Sequence, residues 1–247
     1  MFEIMKLRVS VDGRAIIKGV SLKVGPGEIH LLMGPNGSGK TSLAQALMGQ
    51  PKLKVSGSVK LDDRELLELS PDERARLGLF MGFQNPEEIE GVKMSNLMRK
   101  AMSAGEKRSP DMDAMLRMHQ KLTDSAQRLG MDNAMVSREL NVGFSGGEKK
   151  RMEVLQMMAL EPKIAVLDEP DSGLDVDGIK LIASVIKEMS DGKRSFLIIT
   201  HHADILKHLE PDFVHVLAKG RIVDSGGAKL AHEIEKIGYS KYNGGAG

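Results

Sequence analysis

The chain has 247 residues, 41% of them hydrophobic, which is enough for one large domain or for one domain with an inserted subdomain. Lys and Arg number 35 against 34 acidic residues, which argues against a non-specific nucleic-acid binder, since such a protein needs a basic surface. The sequence has no cysteine, which excludes disulfides, zinc–thiolate sites and a thiol nucleophile, and removes the usual ligands of an iron–sulfur cluster. No apolar run reaches the roughly 18 residues that span a bilayer. Because Glu3 and Lys6 interrupt the hydrophobic start, we expect no signal peptide and a cytoplasmic protein.

The first 85 residues predict a hairpin followed by alternating strands and helices. Residues 2–11 and 15–24 are apolar or alternating, and Asp12-Gly13 between them is typical of a tight hairpin turn. Ser70 is a suitable cap for a short helix. The other elements expected here are strands at 29–33, 57–62 and 77–83 and a helix at 42–48.

Residues 86–143 have a different composition and predict an inserted helical subdomain. Strand-like runs vanish from this part of the sequence, and charged residues and methionine dominate it. A three-four spacing of mainly apolar residues predicts one amphipathic helix that stops near Gly130. The members of this stripe are Met112, Met115, Leu116, His119, Leu122, Ala126 and Leu129.

Residues 144–247 return to alternating strands and helices, and together with residues 1–85 they predict a doubly wound α/β core. The apolar run at 164–167 indicates a buried strand of a parallel sheet. We expect residues 241–247 to form a flexible tail. The remaining elements expected here are helices at 178–189, after residue 202 and near the end of the chain, and strands at 196–200, 213–217 and 221–223.

One segment between a predicted strand and a predicted helix fits the phosphate-binding pattern G-x-x-x-x-G-K-[ST]. Its backbone N–H groups would surround a β-phosphate, and its glycines supply backbone angles that other residues resist. Lys40 would bridge the β- and γ-phosphates, and the Thr41 hydroxyl would ligate Mg²⁺. The alternative is a glycine-rich turn with a solvated lysine. The candidate nucleotide-binding residues are Gly34, Pro35, Asn36, Gly37, Ser38, Gly39, Lys40, Thr41 and Ser42.

Polar residues at the ends of two predicted strands suggest hydrolytic chemistry. Asp168 is expected to hold the metal together with Thr41, because a carboxylate at the end of a buried strand is costly without a cation. Glu169 is the candidate general base that would orient or deprotonate the attacking water. Gln84 could contact both the metal and that water. The alternatives are a surface ion pair for Glu169 and a solvated loop position for Gln84.

A Ser-Gly-Gly turn and a histidine complete the set of candidates. Ser145 and Glu148 form the S-x-x-E pattern of a helix capping box. The same geometry would leave the amides of Gly146 and Gly147 free to bind a phosphate, and the two interpretations can coexist. His201 follows a core strand, so its ring could reach a γ-phosphate oxygen, although a lone histidine is more often structural.

Taken together, six motifs stand in the order found in ATP-binding-cassette (ABC) ATPases, which the chain resembles over essentially its whole length. The resemblance implies a RecA-like parallel-sheet core, an N-terminal antiparallel β subdomain and an inserted helical subdomain. It also implies ATP and Mg²⁺ as ligands and an ATP-dependent dimer, in which the Ser145 turn of one chain closes on ATP held by the other and Asp175 acts across the interface. Val11 stands where the family usually places an aromatic residue, which implies weaker nucleotide binding and base selectivity. The motifs are residues 34–41, Gln84, 145–148, 164–169, 172–175 and His201.

A narrower resemblance is to the ATPases of the SUF iron–sulfur cluster assembly system. Phe144, Glu148 and Gly173 carry it, since transporters usually have leucine, glutamine and alanine there. It implies SufB-like and SufD-like partners, with no nucleic acid and no direct membrane insertion. Two alternatives remain open: the ATP-binding subunit of an ABC membrane transporter, and a nucleotide-gated interaction module with negligible turnover. The helical insertion would be the docking surface in the SUF and transporter readings.

Overall fold

The computed structural model of the chain describes residues 1–104, 111–201 and 204–243. Within them the chain forms two large β-sheets and one small sheet, with helices packed around them. The strands, β1 to β12, lie at Phe2–Val11, Arg14–Val24, Ile29–Met33, Lys54–Leu61, Arg64–Glu65, Leu79–Gly82, Ile89–Lys93, Glu139–Leu140, Ile164–Asp168, Ser195–Thr200, Phe213–Ala218 and Arg221–Gly226.

The larger sheet has six strands in the order β12-β11-β3-β10-β9-β6. All neighbours pair in parallel except β12, which pairs antiparallel with β11 at the edge. Every residue of β3, β9 and β10 is buried. Successive residues of β3 point to opposite faces, so Leu31 packs into one hydrophobic core and Leu32 into a second. The predicted parallel α/β core is confirmed.

The helices α1 to α8 surround these sheets. Helices α5 (Gly146–Leu160) and α6 (Val176–Met189) contribute to the same core as Leu31, while α1 (Lys40–Met48) packs between the parallel sheet and the N-terminal strands. Two additional 3-10 segments occur at Asn133–Ser137 and Asp204–Lys207. The second of these stands where a helix was expected after residue 202. The α-helices lie at Lys40–Met48, Pro71–Leu77, Met94–Met102, Met112–Arg128, Gly146–Leu160, Val176–Met189, Ala228–Ile237 and Ser240–Asn243.

The second large sheet is antiparallel and contains the predicted hairpin. Its strand order is β2-β1-β4-β5, and the turn between β1 and β2 places Asp12 and Gly13 at φ angles of 48° and 78°. Glycine adopts such angles without steric cost, and Asp tolerates them better than most residues, which explains the sequence of this turn. Strand β4 begins at Lys54, earlier than the predicted start at residue 57.

One prediction for the inserted region is wrong. Residues 86–142 were expected to lack strands, but β7 and β8 pair antiparallel and bring the two ends of the insertion together. Strand β7 consists mostly of exposed residues, and its pairing with β8 has an irregular register. A short strand without a buried face leaves no alternating hydrophobic pattern, so sequence periodicity could not have found it.

The predicted amphipathic helix is α4, and it ends one residue before Leu129. Only the second half of its stripe reaches the core, where Leu122, Ala126 and Leu129 are buried. Met112 and Leu116 remain 67% and 59% exposed. Residues 105–110 of the predicted helical subdomain lie outside the described residues.

The C-terminal end of the described chain is helical. Helix α8 includes the first three residues of the predicted tail, and residues 244–247 lie outside the described part. Among the residues that the structure describes, no helix combines the length and the apolar character needed to cross a bilayer.

Candidate active site

The carboxyl ends of four neighbouring parallel strands bring most of the candidate residues to one edge of the large sheet. Strand β3 leads into Gly34, β10 into His201, and β6 into Phe83 and Gln84. Strand β9 ends at Asp168, one residue before Glu169. Ligands of open α/β sheets bind at this edge because the strand ends converge there with the loops that follow them.

The glycine-rich loop is held tightly between β3 and α1. A Cβ atom at Gly34 would lie 2.2 Å from the carbonyl oxygen of Leu217, so no side chain fits there. Gly37 and Gly39 have φ angles of 77° and 109°, which favour glycine. The backbone geometry of the loop therefore explains these glycines, in addition to any contact with a ligand.

Lys40 folds back over its own loop. Its Nζ donates to the carbonyl oxygen of Gly34 at 2.7 Å and to that of Pro35 at 3.2 Å, and the side chain is buried. Burial lowers the pKa of Lys40, while the nearby carboxylates of Glu169 and Asp168 oppose that shift. The ammonium group therefore already sits over the loop, in a position where it could exchange carbonyl oxygens for phosphate oxygens.

The Ser38 hydroxyl is a polar group without a partner inside this loop. The residue is 4% exposed, and among the described residues its Oγ has no hydrogen-bond partner. A buried hydroxyl without a partner costs free energy. An oxygen-rich ligand such as a phosphate in the loop would satisfy it, so the residues present fit a bound nucleotide.

Glu169 is fixed by two of the other candidates. Its Oε2 accepts a hydrogen bond from Gln84 Nε2 at 2.7 Å, and its Oε1 lies 2.6 Å from Nδ1 of His201. Its backbone is anchored too, since its N–H donates to the carbonyl oxygen of Ile199 at 2.7 Å and its φ angle is 49°. The carboxylate of Glu169 is thus buried, oriented and able to accept a proton.

Asp168 lies in a cleft with the other candidate metal ligands. This cleft, of about 460 Å³, is lined by Thr41, Gln84 and Asp168 among others. Burial, with the neighbouring charge of Glu169, raises the pKa of Asp168 to about 6, and Lys150 and Lys40 act in the opposite direction. A divalent cation would offset the cost of this buried carboxylate, and oxygen atoms are the ligands that Mg²⁺ prefers, so the three residues fit that ion.

The side-chain hydrogen bonds of Ser145 are local to its own turn. The Oε2 of Glu148 accepts from the backbone N–H of Ser145 at 2.8 Å, and the Ser145 Oγ accepts from the N–H of Glu148, which confirms the predicted capping box. Ser145 and Gly146 are exposed. Apart from the chain neighbours and the backbone of the same helix, no described atom lies within 4 Å of a Cβ built at Gly146, and one at Gly147 would only touch Leu174 at 3.5 Å. The chain itself therefore does not require glycine at either position.

Asp175 has a local role that the sequence reading missed. Its Oδ1 accepts from the N–H of Gly178 at 2.7 Å, so Asp175 caps α6, which begins at Val176 and not at Gly178. The residue is exposed. This cap could have been predicted from Asp175 followed by a helical pattern, had the helix start been placed two residues earlier.

The structure also brings two unpredicted charged residues to the strand ends. Lys150 and Glu153 of α5 are buried, and their Nζ and Oε2 atoms lie 3.7 Å apart. Burial raises the pKa of Glu153 to about 7 and lowers that of Lys150. Charged residues on a helix are usually solvated, so no feature of the sequence pointed to these two.

Comparisons with known proteins agree with this geometry. The profile of the ABC transporter family matches residues 17–172. "Vegetative protein 296" of Bacillus subtilis (strain 168) is 46% identical, over 96% of this chain and 90% of that protein. "Probable ATP-dependent transporter SufC" of Escherichia coli (strain K12) is 45% identical, over 97% of each chain. An ATP-binding cassette of an ABC transporter, solved in its ADP conformation, superposes with a TM-score of 0.72 at 26% identity, over 98% of this chain and 99% of that one. The predicted fold class is therefore confirmed.

Proposed function

The chain belongs to the ABC transporter family of ATPases, and from that membership we propose that it hydrolyses MgATP to drive a conformational change in an iron–sulfur cluster assembly complex of the SUF type. The observation that carries the hydrolytic part is the buried carboxylate of Glu169, held between Gln84 and His201. The observation that supports the SUF part is the likeness to the protein named SufC along nearly the whole of both chains.

In the proposed reaction Glu169 orients the attacking water and accepts its proton. Gln84 fixes one carboxylate oxygen and can contact the water, and the ring of His201 fixes the other oxygen. Holding the base by two contacts prepares its geometry before the nucleotide arrives, so little reorganisation is needed in the transition state.

The glycine-rich loop would bind the phosphates through the backbone N–H groups of residues 37–41 and through Lys40. When ATP binds, the ammonium group of Lys40 leaves the carbonyl oxygens of Gly34 and Pro35 for phosphate oxygens. Thr41, Gln84 and Asp168 would hold Mg²⁺, which when bound neutralises charge on the β- and γ-phosphates.

We further propose that two copies of the chain close on two ATP molecules. The glycines after Ser145 support this, because neither crowding nor a positive φ angle within the chain explains them. A close approach of phosphate from a second chain would explain them, since a Cβ at Gly146 would point into the space such a ligand needs. Ser145, Gly146, Gly147 and Glu148 would then contact ATP across the interface, with Asp175 beside them.

For the partners we propose SufB-like and SufD-like proteins in the cytoplasm, with residues 86–143 as the helical subdomain that contacts them. The alternative is that the chain docks on a membrane permease, which the family's description as ABC transporter supports. A tagged chain used as bait separates the two. Recovery of soluble cluster-assembly proteins supports the proposal, and recovery of a permease without them overturns it.

The hydrolytic assignment is tested by Glu169→Gln, which removes the base and keeps the shape. We expect phosphate release, measured with partners present, to fall roughly 100-fold or more, because general bases contribute about that much. ATP should remain bound and the dimer should accumulate. Glu68→Gln, at an exposed position outside the site, is the matched control. Wild-type turnover in Glu169→Gln would remove Glu169 from the role of base. Negligible turnover of the wild-type chain with its partners would favour the nucleotide-gated interaction module.

A further inference from the structure

The backbone of Phe83 is held from both sides by one pair of charged side chains on α5. Oε1 of Glu153 accepts from the Phe83 N–H at 2.7 Å, and Nζ of Lys150 donates to the Phe83 carbonyl oxygen. The two side chains are three residues apart, so they project from the same face of the helix. A single residue of the chain therefore has both of its backbone groups bound by this pair.

Core packing constrains the side chain of Phe83 only in part. Phe83 is 48% exposed and follows the last residue of β6, so the core covers it only in part and the strand ends before it. Lys150 and Glu153 are by contrast 4% and 8% exposed. Burying two charges costs free energy, and replacing such a pair by apolar groups is often neutral or stabilising, so a role beyond stability would account for it.

The position of Phe83 decides the position of Gln84. Gln84 is the next residue, and its side-chain nitrogen donates to Glu169 at 2.7 Å. Lys150 also reaches the carbonyl oxygen of Asp168, at 3.5 Å, immediately before Glu169. Lys150 and Glu153 thus contact the ends of both β6 and β9, the two strands that precede Gln84 and Glu169.

We propose that Glu153 is a positioning residue that acts through the Phe83 amide to keep Gln84 in contact with Glu169, with Lys150 completing the hold on the same peptide. The proposal rests on the proposed roles of Gln84 and Glu169 in hydrolysis. Glu153 does this by accepting a hydrogen bond, so a variant that keeps the accepting oxygen should keep most of the effect.

The test compares Glu153→Gln, which keeps an acceptor, with Glu153→Leu, which removes it. For Glu153→Leu we expect kcat to fall roughly tenfold, the factor for about 1.4 kcal/mol of lost transition-state stabilisation. The KM for ATP should change less than kcat, because the contacts of the glycine-rich loop with the phosphates are kept. Glu153→Gln should keep most of kcat. Val154→Ala, at a buried apolar residue of the same helix, controls for loss of packing.

A second readout reports on the contact itself, independently of turnover. Amide hydrogen exchange at Phe83 should be faster in Glu153→Leu and unchanged in Glu153→Gln. If Glu153→Leu does not fold, the double variant Lys150→Met/Glu153→Leu replaces the pair by apolar side chains and should show the same loss of kcat. Unchanged kcat in these variants, equal losses in the Gln and Leu variants, or unchanged exchange at Phe83 would each overturn the proposal.

A coupling experiment separates this proposal from the proposed function. If Glu153 acts through Gln84, then Gln84→Ala and Glu153→Leu together should be no slower than Gln84→Ala alone. Additive losses would overturn the positioning role while leaving hydrolysis by Glu169 intact. A Gln84→Ala variant with full turnover would instead overturn the proposed role of Gln84, while the exchange measurement would still report whether Glu153 holds Phe83.

Discussion

A buried pair of histidines predicts how the stability of the fold depends on pH. Nδ1 of His30 lies 3.0 Å from Nε2 of His215, Nε2 of His30 lies 2.8 Å from the carboxylate of Glu28, and Nδ1 of His215 lies 2.9 Å from Oγ of Ser225. The carboxylate can only accept, so Nε2 of His30 carries hydrogen. In neutral His30, Nδ1 then accepts from His215, whose own Nδ1 accepts from the serine hydroxyl. With both rings neutral, every donor in this chain of hydrogen bonds meets an acceptor.

The pKa of His215 gives the size of the effect. Burial, and then the proximity of His30, lowers it from 6.5 to about 4. The unfolded chain therefore binds the proton first as pH falls. This contribution is fully present above pH 6.5 and is lost as pH falls from 6.5 toward 4. By linkage the loss is about 2 kcal/mol between pH 7 and pH 5, and about 3 kcal/mol in full.

The assay is denaturant unfolding of wild type and His215→Gln at pH 7 and pH 5. Other groups titrate in this range, so the informative quantity is the difference between the two proteins in the free energy lost. We expect His215→Gln to lose about 2 kcal/mol less than wild type. His232→Gln, at an exposed ring on α7, should lose as much as wild type. An equal loss in His215→Gln and wild type would refute the reasoning.

Three further predictions concern the site. Lys40→Met should lower phosphate release by roughly 100-fold or more, because the negative charge of the transferred phosphoryl group would lose a neutralising cation. Turnover near wild type would contradict the placement of Lys40 over the phosphates. Val11→Tyr should tighten ATP binding roughly tenfold, since base stacking is worth about 1–3 kcal/mol, and an unchanged Kd by calorimetry would show that adenine lies elsewhere. Asp175→Ala should destabilise the isolated chain by about 1 kcal/mol through loss of the α6 cap, and an unchanged melting temperature would contradict that contact.

The parts of the fold that were predictable are those where burial is uniform along an element. Strands β3 and β9 are mostly apolar runs because both faces of the parallel sheet are covered, and their bounds could be read almost directly. The bounds of strand β7 could not be predicted, because most of its residues are exposed and the strand forms by pairing with the distant strand β8. Likewise the spacing of Met112 and Leu116 indicates a helix but not which turns of it are covered.

The candidate site shows a similar division. Sequence motifs identify the glycine-rich loop and the Asp168-Glu169 strand end. Parallel strand pairing then brings the two segments together. The contact of Gln84 with Glu169 spans 85 residues, and its support by Glu153 spans 70. Glu153 reads on the sequence as one charged residue of a helix, and only the packed structure shows that its side chain points inward. The roles assigned to these residues in hydrolysis remain predictions.

The open space around Gly146 has a consequence for mutational surveys of this chain. A library scored only by the amount of folded protein should tolerate Gly146→Ala, because no described atom obstructs the added methyl group and alanine favours a helix by about 1 kcal/mol over glycine. The same substitution, scored by growth that requires a working complex, should be depleted. Tolerance maps from the two screens would thus diverge at the start of α5.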